Sequence, residues 1–114
     1  MSEVRINSYH IMWLFVFFDL PVLTKKERKI ATDFRKNLMK DGFTMMQFSV
    51  YIRHCASYES QEVHMKRVKS IVPDTGRVSI LGVTDKQYGD IVNCWGKDYK
   101  KKKQNPTPLQ LELF

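Results

Sequence analysis

Residues 11–19 read IMWLFVFFD, and apolar or aromatic side chains fill both alternating sets of positions up to the last. Strand side chains point to opposite faces in turn. A strand with one wet face shows a polar residue at every second position, and this run shows none before Asp19. The segment reads as a strand covered on both faces, so the rest of the chain must supply two covers. Pro21 has no amide hydrogen to donate, and the strand stops near it. Asp19 falls in phase with Trp13, Phe15 and Phe17, so a carboxylate closes an apolar stripe on one face. It is either a strand-ending turn residue, a usual role for Asp before proline, or a functional group.

The first cover follows directly. In TKKERKIATDFRKNLMKDG, residues 24–42, Thr24 and Glu27 have capping-box spacing. Ile30, Phe34 and Leu38, with Ala31, share one helical face, and Lys25, Lys29, Lys36 and Lys40 fall opposite. Gly42 ends the helix. Residues 43–55, FTMMQFSVYIRHC, alternate as one long strand or as two short ones bent near Gln47, and the pattern alone does not choose. Residues 56–73 read as a second helix, capped by Ser57 or Ser60, with Met65, Val68, Ile71 and Val72 as its apolar side and Pro73 after it. DTG then makes a turn, and RVSILGVT, residues 77–84, is a further strand.

With the bend at Gln47 counted as a hairpin, the order is β-α-β-β-α-β, an α+β ferredoxin-like plan. Both helices of that plan lie on one sheet face. The other face needs a cover too, and the economical one is a second copy of the chain, with sheets facing. Ile11, Trp13, Phe15 and Phe17 are then expected near a homodimer interface. After Thr84 the signals weaken. DKQYGDIVNCWG suggests a helical turn and a short strand, and residues 97–114 form a basic, proline-bearing linker followed by LQLELF. Leu109, Leu111 and Leu113 alternate with Gln110 and Glu112, as in a strand that needs a sheet edge. The expected division is a domain over 1–96 and a linker plus terminal strand over 97–114.

The chain has 114 residues, enough for one small domain, and a formal charge of +7. Such a balance favours a polyanionic partner, either nucleic acid or an acidic membrane surface. The longest apolar run is too short to span a bilayer, and no signal-peptide plan opens the sequence. Cys55 and Cys94 form no C-x-x-C and no disulfide framework, so reduced thiols in a cytosolic setting are the default. Lys25, Lys26 and Arg28 crowd a helix N-terminus, where acids are usual and phosphate binds well. Lys97, Lys100, Lys101, Lys102 and Lys103 form a second basic cluster. Either cluster is a solvated surface or a grip on phosphates. His54 and Cys55 are strand neighbours facing opposite ways, not a nucleophile pair. An RNA-recognition sheet would carry an exposed aromatic string of a defined form, and none occurs.

FFDLP closing the first strand, then Arg28, Phe34, Leu38, Gly42, Phe43 and the run Gln47, Phe48, Ser49, Val50, Tyr51, form an ordered set from Trp13 to about Val83. This set resembles the CRISPR-associated protein 2 family, the small subunit of the spacer-acquisition complex in antiviral defence. The aromatic first strand, QFSVY and RVSILGVT suit type II systems. The resemblance implies a ferredoxin-like homodimer whose C-terminal strand joins the partner's sheet. It implies a scaffold bridging dimers of the integrase subunit, CRISPR-associated protein 1, on duplex DNA, with other type II adaptation or effector proteins as further partners and a prokaryotic cytoplasm as the setting. It implies basic residues of the two clusters on the DNA backbone. As the alternative, it implies a magnesium-dependent endonuclease acting on RNA or DNA, with Asp19 as catalytic residue and Mg²⁺ ligand shared with the dimer mate.

Overall fold

The structure, a computed structural model, describes residues 11–99. Its elements run β1 (Met12–Asp19), α1 (Lys25–Lys40), β2 (Thr44–Gln47), β3 (Val50–Cys55), α2 (Tyr58–Ile71), β4 (Arg77–Thr84) and a short α3 (Asp85–Gly89). The four strands form one sheet in the order β2-β3-β1-β4. β1 is antiparallel to both of its neighbours, and β2 is antiparallel to β3. Two interleaved β-α-β units give this order, and the ferredoxin-like α+β plan is what the molecule adopts.

The segment 43–55 is two strands. The reversal is a two-residue turn at Phe48 and Ser49, and Ser49 sits in the left-handed region at φ 63°. Its carbonyl accepts a hydrogen bond from the Phe18 amide at 3.1 Å, which ties the hairpin tip to the end of β1. The turn is why a simple alternation through residues 43–55 could not describe this segment.

One face of the sheet carries the core. Met12, Leu14, Val16 and Phe18 point toward the helices, with Tyr51 and Cys55 from β3 and with Ala31, Phe34 and Leu38 from α1. Phe18 and Phe34 meet edge to face at 5.1 Å. The capping box forms as expected: the Thr24 hydroxyl accepts from the Glu27 amide, and the Glu27 carboxylate accepts from the Thr24 amide. α2 is capped by Ser57. It buries Val68 as expected, with Met65 and Ile71 packed beside it, but Val72 caps the helix and is exposed. Gln61 and His64 complete the buried face instead, in phase with Val68.

These two polar residues are buried because each has a partner. Gln61 donates to the Trp13 carbonyl at 2.9 Å. A side chain at position 82 would strike Gln61, so Gly82 makes the room for it. His64 Nδ1 lies 2.8 Å from an Asp41 carboxylate oxygen, and Arg67 donates to the other at 2.9 Å. Arg53 donates to the Asp41 main-chain carbonyl at 2.8 Å. The C-terminus of α1 is thus fastened to α2 through the Asp41 carboxylate and to β3 through its carbonyl. Burial alone would raise the Asp41 pKa, but the hydrogen bonds and charges of His64 and Arg67 hold it below the usual value.

Of the short strand and the helical turn expected after Thr84, no further strand occurs among the described residues, and the helical turn forms as α3. Its Tyr88 ring stacks on Trp13 with centroids 3.7 Å apart. The Trp13 indole donates to Asp85 at 2.7 Å. The second face of β1 is therefore covered at one end by the same chain. Leu109 to Phe114, and with them the expected terminal strand, lie outside the described residues, as do Lys100 to Lys103.

Candidate functional site

The face of the sheet turned away from the helices sorts into two halves. At the Trp13 end, α3 shields the strand, and Phe15 is buried. At the Asp19 end no described residue covers it, and Phe17 is 37% exposed; Leu81, opposite Phe15 on β4, is 49% exposed. Phe17 stacks along Phe15 with centroids 6.0 Å apart. Of the expected interface residues Trp13, Phe15 and Phe17, Phe17 is exposed, Trp13 is half-buried and Phe15 is buried.

Asp19 closes this open half. It is exposed at the end of β1, and its cross-strand partner is Arg77, the first residue of β4. Opposed residues in an antiparallel pair share a face, so carboxylate and guanidinium stand on the same side of the sheet. Both line a shallow depression of about 280 Å³, with Phe17, Phe48, Ser49 and Ser79 around them. Asp19 and Arg77 are the charged groups of this lining. Gly76 sets their relative position. It adopts φ 85°, and a Cβ there would lie 2.7 Å from the Asp19 carbonyl oxygen, so only glycine lets the turn before β4 close onto the end of β1.

Arg77 carries no mark in the sequence that sets it apart. Arg77 follows a turn as one cation among many, and only the register of β1 against β4 puts it beside Asp19. Ser49 sat in the family-like run, but its left-handed conformation belongs to a hairpin whose existence the pattern left open.

Mg²⁺ takes hard oxygen ligands in near-ideal octahedral geometry, often from one or two carboxylates with several waters. Among the described residues no group of three or more His, Cys, Asp or Glu could hold a metal ion. The depression of one chain offers a single carboxylate, two hydroxyls and an opposing guanidinium. This donor set does not fit a resident Mg²⁺, because the cation beside Asp19 works against a second one.

The basic cluster at the start of α1 divides as well. Lys25 and Lys26 are exposed, and neither is held in an ion pair with a described residue. Arg28 instead turns back, and one guanidinium nitrogen donates to the Val22 and Leu23 carbonyls at 3.2 and 3.0 Å. It fastens the loop between β1 and α1, with its remaining donors left toward solvent. Lys97 is exposed. Cys55 is buried, and burial pushes its thiol pKa up, which makes it a poor nucleophile. Cys94 is exposed in an apolar hollow of about 550 Å³ with Met45, Phe48, Trp95 and Tyr99, and no acid, base or cation among the described residues lines it.

The family described as CRISPR associated protein Cas2 matches residues 12–91, from the first residue of β1 to just past α3. The chain belongs to the Cas2 family. It is 50% identical over 110 residues to a protein of Flavobacterium psychrophilum, covering 96% of this chain and 94% of that one. It is 53% identical over 106 residues to a protein of Parvibaculum lavamentivorans, covering 90% of this chain and 100% of that one. A protein of Campylobacter jejuni is 40% identical over 101 residues, covering 88% of this chain and 71% of that one. All three bear the name CRISPR-associated endoribonuclease Cas2. Asp19 and Arg77, Phe17 and Ser49, and Lys25 and Lys26 all fall inside the stretch that carries the Cas2 match. No helix of the described residues is long and apolar enough to cross a membrane.

Proposed function

We propose that this Cas2-family chain acts as a homodimeric scaffold of spacer acquisition, holding duplex DNA between integrase subunits, rather than as a catalyst. The observation that carries the reading is the content of the site around Asp19. A phosphodiesterase needs an activated water and charge stabilisation at the leaving oxygen. Among its described residues one chain brings a lone carboxylate paired in register with a guanidinium, and neither a general base nor a second acid beside it. The uncovered apolar half of the sheet beside that carboxylate suits a second copy of the chain. A two-fold contact requires a patch complementary to itself, and an apolar centre with an acid and a base at its rim meets that requirement. Exposed Lys25 and Lys26 add a phosphate-binding edge at the start of α1, which would position a duplex without reading its sequence.

The second reading is an endoribonuclease, and the names of the relatives favour it. It needs the Asp19 carboxylates of two chains together, since one chain's donors do not suffice. The Asp19→Asn variant separates the two readings when phosphodiester cleavage of RNA and DNA is measured beside spacer integration with the cognate integrase. The scaffold reading expects integration to survive while any cleavage falls. Loss of integration in a stable, dimeric Asp19→Asn protein would overturn it.

A further inference from the structure

We propose that Arg77 is the built-in counter-ion of Asp19: in the dimer it neutralises the carboxylates that the two-fold brings together, in the place a divalent metal would otherwise take. The inference rests on the dimeric reading above. Its basis is the register of the sheet. Asp19 and Arg77 are directly opposed on β1 and β4, on the face left uncovered. They line one depression together and are its charged members. In the single chain neither is bound in an ion pair with any described residue. Both side chains are exposed, and both are still free to be paired.

Closing two copies over Phe17, the exposed aromatic two positions from Asp19 on the same face, removes water from this end of the sheet. Two carboxylates brought together in a drier site repel, and the repulsion is relieved by a proton, a metal or a fixed cation. Arg77 is already on the correct face, one strand away. A guanidinium stays charged at any accessible pH and offers a fork of donors to a carboxylate. Ser49 and Ser79, in the same lining, supply further hydroxyls. Gly76 holds the arrangement, because its backbone packs against Asp19 itself. Two consequences follow. The dimer does not need metal to balance its charge, and Arg77 competes with a divalent cation for the same carboxylates.

The test is a double-mutant cycle on the full chain, read by sedimentation equilibrium and by Mg²⁺ titration calorimetry. Wild type should be dimeric without metal and should bind Mg²⁺ weakly. Arg77→Met should weaken dimerisation about tenfold or more, the scale for leaving a desolvated charge unpaired. It should also bind Mg²⁺ more tightly than wild type, and added Mg²⁺ should restore part of its dimer. Arg77→Lys should keep most of the affinity, and Asp19→Asn in the Arg77→Met background should restore it. Arg77 is exposed, so its variants should keep wild-type circular dichroism. A dimer unchanged by Arg77→Met would overturn the counter-ion while leaving the dimer intact. So would a weakened dimer that Asp19→Asn fails to restore. A wild-type chain that stays monomeric at micromolar concentration would instead overturn the dimeric reading, and the counter-ion with it.

Discussion

Asp41 shows how much of this small domain hangs on single polar residues. It ends α1, and its carboxylate takes His64 and Arg67 from α2 while its carbonyl takes Arg53 from β3. With its pKa held below the ordinary value of 3.8, the folded state prefers the ionised form. The unfolded chain therefore binds the proton more readily, and this contribution is complete above the ordinary value. It is lost as pH falls below about 4 and through the folded value. Acid denaturation should steepen in that range. Asp41→Asn should flatten the acid limb and lower stability near neutral pH by about 1–3 kcal/mol, since His64 and Arg67 lose a charged acceptor. Urea midpoints measured from pH 3 to pH 7 on both proteins check this. An acid limb of unchanged slope in Asp41→Asn would contradict it.

Among the elements, α1 has two jobs that its sequence keeps apart. Ala31, Phe34 and Leu38 bind it to the sheet, and Thr24 with Glu27 satisfies its first amides. Glu27 is thus used internally, which leaves Lys25 and Lys26 as the outward charges of the first turn. Arg28 belongs partly to each job, because it also holds the Val22 and Leu23 carbonyls. Reversing Lys25 and Lys26 to Glu should weaken duplex DNA binding for all sequences alike and leave the melting temperature nearly unchanged. Log affinity against log salt should lose about 0.9 in slope for each phosphate contact removed. Arg28→Glu should differ by lowering the melting temperature as well. Fluorescence anisotropy at several salt concentrations reads the first effect and calorimetry the second. A strongly sequence-selective loss would argue against backbone contacts.

For the whole molecule, the decisive feature is a sheet with one finished face and one half-finished face. α3 covers the Trp13 end through Tyr88, and no described residue covers the Asp19 end. Phe17 and Leu81 contribute little to the core, so replacing Phe17 with Asp should leave secondary structure intact. In the proposed dimer the same change removes an aromatic contact from each chain, and burying one aromatic is worth about 1.5–3 kcal/mol. Phe17→Asp should therefore yield a folded monomer at micromolar concentration, where wild type sediments as a dimer. Phe34→Ala, in the core, should instead cost about 3–5 kcal/mol of stability. Equal sedimentation of wild type and Phe17→Asp would place any dimer contact elsewhere.

The sequence by itself determined the order of elements except over residues 43–55, where one strand or two stayed open, because hydrophobic period and caps are local properties. A run of apolar residues on both strand faces, a four-residue repeat in Ile30, Phe34 and Leu38, and glycine at the end of α1 depend on neighbours a few positions away. It also marked Asp19, since a carboxylate in phase with three aromatics is visible without coordinates. The tertiary structure alone decided what stands next to Asp19. Arg77 reaches it through strand pairing between residues 58 positions apart in numbering (19 and 77), and pairing partners leave no local trace. It decided too that Tyr88 covers Trp13, that Arg28 turns back onto a loop, and that His64 is buried on Asp41. The contacts of Tyr88 with Trp13 and of His64 with Asp41 join distant segments, and a helical or strand period carries no information about which distant side chain will complete either.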